Sequence, residues 1–292
     1  MNYIKAKIYF DGSHYIAIPD EAFPSGKGKK KTAANRKNTT IKERFASAYK
    51  ETLTMPKRER KKAIVETLKD DFTNEEQAES FVNENMERER TNEIKRKTRL
   101  ARKLRLQEWT HFCTFTYDDK LHTEETFRKK LSNTLKHFVY RNGWKYVGVW
   151  ERSPEKERLH FHGIFYIPQM VGTIETVEDY STINHRKQTT YQNSHFLKRF
   201  GRNDFRPIDG DADVFEAAKY ITKYLEKTGE KLVYAGKLPT YFQSDLIEED
   251  VICNYGDNER KKILYDNFTC IDDGEILGEV NKETIAKLPK CN

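Results

Sequence analysis

Two histidines one residue apart, His160-Phe161-His162, sit in an alternating run from Leu159 to Ile167, LHFHGIFYI. On a strand, side chains alternate faces, so both imidazoles project together while Leu159 and Phe161 turn toward a core. Their backbones then stand roughly 7 Å apart, close enough for the two rings to converge on one cation. Gly163, directly after the pair, is expected to leave room for a ligand or metal to approach. Glu151 ends the preceding strand-like run, Lys145 to Trp150 (KYVGVW), and the short charged link Arg152 to Arg158 predicts an antiparallel hairpin. Such a hairpin sets the end of one strand beside the start of the next, which adds the Glu151 carboxylate to the histidines. Glu155 and Glu157 are rival ligands, but both fall in the turn. Two histidines and a carboxylate with open positions suit Mg²⁺ or Mn²⁺ arriving with a phosphate, and zinc is chemically admissible. The plainer reading is a pair of polar residues on a solvated strand face, and the HxH pattern alone does not decide between them.

A second group lies further on, in Tyr220-Ile-Thr-Lys223-Tyr224-Leu-Glu-Lys227. Tyrosines four apart share one helix face, beside the apolar stripe that Ile221 and Leu225 continue. Each has a lysine three residues later. A phenol with an ordinary pKa near 10 is a weak nucleophile at neutral pH. It attacks a phosphodiester when nearby cations favour the phenolate and a metal offsets charge on the phosphate oxygens. Lys223 and Lys227 could supply that positive charge or grip a phosphate. Against this stands the common case of tyrosines that cap a core with their hydroxyls in water. A metal-capable strand pair together with a tyrosine helix describes a complete transphosphorylation site.

The elements that must position these groups are legible in the pattern. Residues 3–10 and 14–18 alternate around Asp11-Gly12 and predict a small hairpin. Residues 19–40 are polar and basic and read as loop; residues 41–105 have helix-forming composition, interrupted at Pro56. From Trp109 the texture becomes β-branched and aromatic, with a strand at His111–Tyr117. Thr123 opens a helix whose apolar positions are Phe127, Leu131, Leu135 and Phe138, and Gly143 ends it. Residues 169–190 read as a polar, turn-rich excursion, followed by a short helix near 191–200 and a strand near 204–208. Asp213 and Glu216 have capping-box spacing for a helix running to Thr228, with Val214, Ala218, Ile221 and Leu225 inward and Gly229 as its stop. Beyond about 245 an acidic stretch gives way to strand-like runs near 262–280. This order predicts an α+β fold, an antiparallel sheet with helices on one face, behind a basic helical N-terminal region. The expected divisions are 1–105, 106–245 and a small β-containing extension at 246–292.

Composition narrows the setting. The 292 residues are 34% charged, and no apolar run approaches a membrane span. The opening MNYIKAKIYF lacks the pattern of an export signal, and Cys113, Cys253, Cys270 and Cys291 are scattered singly. A cytoplasmic location is therefore expected. Lys and Arg exceed Asp and Glu by 7, and the excess gathers in KGKKK at 27–31, KRERKK at 57–62 and KRKTRLARKLR at 95–105. The first two clusters suit solvated helix faces as well as they suit a polyanion. In the third, Lys95, Arg96, Lys97, Arg99, Arg102, Lys103 and Arg105 are the candidates for phosphate contact, with Lys227 beside the tyrosines.

The chain resembles the HUH (His-hydrophobic-His) endonucleases, and among them the rolling-circle replication initiators of bacterial plasmids and single-stranded DNA phages. The resemblance rests on FCTFTYDD, ERLHFHGIFYIP and AAKYITKYLEK, in that order, and spans about residues 85–245. It implies an RRM-like nuclease core and a site-specific DNA nickase. His160 and His162 would be metal ligands with Glu151 as the acidic third. Tyr220 would be the nucleophile that takes a 5′-phosphate and frees a 3′-hydroxyl primer. Tyr224 would be a second nucleophile or only structural, and Lys223 matches the lysine that follows the catalytic tyrosine. Conjugative relaxases, which share the chemistry, place their tyrosine before the histidines. The expected substrate is single-stranded or origin-hairpin DNA. No GxxxxGK[ST] phosphate loop exists in the sequence, so a host helicase and polymerase are implied partners. The alternatives are a non-catalytic basic DNA-binding protein and a transposase of the same chemistry.

Overall fold

A computed structural model describes residues 4–20, 36–153, 157–181, 186–228 and 231–292; for residues 36–39, 181, 186 and 224–228 it describes the backbone alone. The chain divides into two compact units, residues 108–237 and the remainder, 1–107 with 238–292.

The first unit starts with β1 (Ile4–Phe10) and β2 (Tyr15–Pro19), an antiparallel hairpin in which Tyr9 faces Ile16, as the alternation predicts. Three helices follow: α1 (Arg36–Glu51), α2 (Lys57–Leu68) and α3 (Glu75–Arg105). Pro56, which cannot donate to a preceding turn, sits at the N-cap of α2. Asn74 caps α3 by accepting from Gln77 N. Phe45, Ile64, Leu68, Ala78 and Val82 form the shared core of these helices.

The second unit holds β3 (His111–Thr116), α4 (Glu124–Asn142), β4 (Lys145–Arg152) and β5 (Leu159–Tyr166). Next come β6 (Ile174–Ser181), β7 (Arg186–Asn193), α5 (Ser194–Arg199), β8 (Asn203–Pro207), α6 (Gly210–Thr228) and β9 (Val233–Ala235). Five strands pair antiparallel in the order β8-β3-β5-β4-β9. Alternation gives this sheet two different faces. One carries Cys113, Phe115, Trp150, Phe161, Phe165 and Phe205, buried against Phe127, Leu131 and Leu135 of α4 and Phe196 of α5. Here the expected one-sided helical cover is present. The opposite face carries Thr114, Thr116, His160 and His162, and α6 lies across it, against β4 and β5.

α4 shows how closely local sequence sets an element. Thr123 accepts from Thr126 N, the Thr126 hydroxyl accepts from Thr123 N, and Gly143 takes the left-handed conformation (φ 69°) that stops the helix. The segment 169–190 differs from its expected irregular form. β6 and β7 pair over their full length, from Ile174–Asn193 to Ser181–Arg186. Alternating Thr, Val and Tyr allow that pairing although the strands bury little. Asp204 Oδ1 accepts from Tyr191 N and Asn203 Oδ1 from Asn193 N, so side chains tie the hairpin to the edge strand β8.

The remaining residues close the first unit: β10 (Tyr241–Leu246), β11 (Val251–Tyr255), β12 (Asn258–Leu264), β13 (Thr269–Asp272), β14 (Glu275–Glu279), α7 (Lys282–Lys287) and β15 (Lys290–Cys291). Six strands pair in the order β11-β12-β2-β1-β10-β15. Residues 246–292 are therefore not a separate extension. They complete the sheet begun by β1 and β2, whose Ala6 and Ile8 are covered by Phe242, Leu264, Phe268 and Cys270. No helix among the described residues is long and apolar enough to cross a membrane.

Candidate active site on the α6 face of the sheet

Register alone lines up the first set of groups. Thr116 faces His160, and His160 faces Glu151; one row on, Thr114 faces His162, and His162 faces Val149. Paired residues of an antiparallel ladder project to the same side, so both threonines, both histidines and Glu151 share one surface. His162 and Glu151 are each only 7% exposed. His162 Nε2 stands 2.9 Å from Glu151 Oε2, yet that oxygen accepts no hydrogen bond. The two imidazoles lie 5.9 Å apart between centroids, at 30°. The His160 Nδ1 lies 2.7 Å from Thr116 Oγ1, and the His162 Nδ1 lies 3.1 Å from Thr114 Oγ1. Burial, and then the neighbouring His162, push His160 down to about 4, so its ring is neutral at pH 7.

From α6 the Tyr220 ring meets the His162 ring edge-on, centroids 5.3 Å apart at 69°, and the Phe112 ring at 5.5 Å and 85°. Ala217 and Ile221 anchor this helix face, with Val214 and Ala218 half-buried. Tyr220 itself stays 38% exposed. The helix begins at Gly210, a turn before its expected start. Asp213 accepts from Asp209 N, and Glu216 pairs with Lys219 instead of closing a capping box. Lys223 is exposed one turn beyond Tyr220. The side chains of Tyr224, Leu225 and Lys227, and the residue Gly229, lie outside the described residues.

Residues 110–229 match the family model of the replication-associated protein ORF2. The match spans 120 of the 292 residues, from the start of β3 through α6. No curated protein and no solved structure matches the chain. The replication-associated segment contains Thr114, Thr116, Glu151, both histidines and Tyr220.

The donor set suits a divalent ion: two imidazoles tethered through Nδ1 and a carboxylate with an oxygen that takes no hydrogen bond. Among the described residues, however, no group of three or more His, Cys, Asp and Glu is drawn together as a formed ion-holding cluster. Glu151 and His162 are close, and His160 stands beside them on the same face. Glu157 sits in the connection after β4 at φ 48°, and Glu155 lies outside the described residues.

Gly163 does not open the site. It pairs with Gly148 on the covered face, where a Cβ would come within 2.7 Å of Phe165 Cε2 and 3.0 Å of Val147 O. Its missing side chain makes space for core rings. The cluster at 95–105 is also divided. Lys103 is withdrawn as a phosphate contact because it is buried, donating at 2.6 Å to both Leu238 O and Asn292 Oδ1. Arg102 lies over the Tyr9 ring at 4.6 Å and Arg105 over Phe10 at 5.3 Å. Arg96 pairs with Glu89 and Lys97 with Glu93 along α3, while Lys95 and Arg99 are exposed.

The residues not anticipated as part of the site are Thr114, Thr116, Phe112, Asp204 and Arg206. Arg206 faces Phe112 across β8 and β3 and stacks over its ring at 5.6 Å. The alternation in HFCTFTY puts Phe112, Thr114 and Thr116 on one face, but nothing local says that β3 pairs with the histidine strand.

Proposed function

We propose that this chain is a replication initiator that nicks one DNA strand and joins itself to the cut end through Tyr220. The edge-on approach of Tyr220 to His162 supports this reading most directly, because it sets a phenol within one phosphate group's reach of the histidine face. The family match adds a replication-associated setting for the same segment.

In this reading Tyr220 Oη attacks the scissile phosphorus as the P–O3′ bond breaks. The phenolic proton passes to solvent, and the departing 3′-oxygen takes a proton from it. One phosphodiester is exchanged for another, so the reverse reaction rejoins the strand without ATP. Glu151, His160 and His162 would hold Mg²⁺ or Mn²⁺, which supplies Lewis-acid stabilisation of charge on the phosphate oxygens. The neutral His160 ring and the buried carboxylate are in the protonation states that such a role requires. Lys223, one turn from Tyr220, is placed to meet the strand next to the cut. Tyr224 would serve as a second nucleophile when replication ends. The substrate is single-stranded or hairpin origin DNA, and unwinding and synthesis come from a host helicase and polymerase.

The test is a supercoiled plasmid bearing the origin, incubated with Mn²⁺. The expected product is an open circle with protein attached, whose adduct peptide maps to Tyr220. Tyr220→Phe should remove both nicking and adduct. A wild type that retards DNA in a gel but never cuts it would make the chain a DNA-binding module. Excision between two ends, without nicking at one origin, would make it a transposase.

A further inference from the structure

β3 repeats the spacing of the histidine pair beside it. Thr114 and Thr116 are two residues apart, as are His162 and His160, and the antiparallel register sets each threonine opposite one histidine. Each hydroxyl is at hydrogen-bonding distance from the Nδ1 of its own ring, 3.1 Å for Thr114 and 2.7 Å for Thr116.

A neutral imidazole has one N–H and one lone pair, and the partner of one nitrogen fixes the state of the other. Where Nδ1 donates to the threonine oxygen, Nε2 keeps its lone pair. Where the hydroxyl donates to Nδ1, the proton moves to Nε2, and that nitrogen can no longer ligate. An N–H on His162 Nε2 aimed at Glu151 Oε2, 2.9 Å away, would satisfy that buried oxygen, yet the oxygen accepts no hydrogen bond. The geometry thus fits a proton on Nδ1.

We propose that Thr114 and Thr116 are positioning residues that hold His162 and His160 with the proton on Nδ1 and the lone pair of each Nε2 on the α6 face. Packing does not require the hydroxyls, since valine has the same shape. Use of those lone pairs for a metal rests on the function proposed above; the tautomer does not.

The experiment reads imidazole nitrogen chemical shifts in the full-length, metal-free protein at pH 7, and Mn²⁺ affinity by loss of the free-ion paramagnetic signal. Wild type should show both rings protonated on Nδ1. Thr114→Val and Thr116→Val should each move the facing ring toward Nε2–H and weaken Mn²⁺ binding by about 10- to 100-fold. Thr114→Ser and Thr116→Ser should restore both readouts. Wild-type rings protonated on Nε2 would overturn the proposal without any variant, as would valine variants that keep the wild-type tautomer and affinity. If the tautomers behave as stated while wild type binds no Mn²⁺, the positioning role stands and the metal-assisted nicking falls.

Discussion

His162 Nε2 and Glu151 Oε2 stand 2.9 Å apart on neighbouring strands, one row out of register, and the buried oxygen takes no hydrogen bond. A buried polar atom left in this state costs about 1–3 kcal/mol. Groups held at such expense cluster at functional sites, where a ligand supplies the missing interaction.

Glu151→Gln should therefore act in opposite directions on stability and on binding. The metal-free variant should melt higher than wild type, by an amount equivalent to about 1 kcal/mol. Its Mn²⁺ affinity should fall by at least about tenfold. Calorimetry and a metal titration on the same sample check both; a variant less stable than wild type would show that the carboxylate is satisfied.

Stability should decline in acid through His160. Its folded value, pushed down to about 4 by burial and then by His162, lies below the ordinary 6.5. Between those values the unfolded chain binds a proton that the folded chain does not. The contribution is thus complete above about 6.5 and is lost as pH falls through about 4. Urea midpoints at pH 7 and pH 5 should differ more for wild type than for His160→Gln.

Gly148→Ala tests the covered face of the sheet. An added Cβ would lie 2.8 Å from His162 O and inside the Phe161 ring. Neither the backbone nor a ring packed in the core can yield freely, so the change should cost about 1–3 kcal/mol. A urea series reads this loss directly.

The two kinds of lysine in α3 should separate experimentally. Lys103→Met leaves the acceptors Leu238 O and Asn292 Oδ1 without their ammonium donor and should cost about 1–3 kcal/mol, with DNA affinity unchanged. Lys95→Gln together with Arg99→Gln should leave stability within about 0.5 kcal/mol. If these two side chains reach phosphates, the double change should lower the salt dependence of DNA binding by about 0.9 for each phosphate no longer neutralised. Unfolding curves and DNA titrations at several salt concentrations distinguish the cases.

What local forces decide could be read from the chain alone. Alternation put His160 and His162 on one strand face. The Thr123 cap and Gly143 bounded α4, and an apolar stripe set the inward side of α6 around Ile221. These features depend on residues within a few positions of each other, and they were legible for that reason. The choice of strand neighbours came only with long-range packing. It set β3 beside the histidine strand, so that Thr114 and Thr116 reach the imidazoles, and it joined residues 241–246 to a sheet begun at residue 4. It also buried Lys103 inside a segment whose composition reads as solvated and turned Gly163 toward the core rings. Strand partners and burial arise between residues far apart along the chain, and no local pattern encodes the distant half of such a pairing.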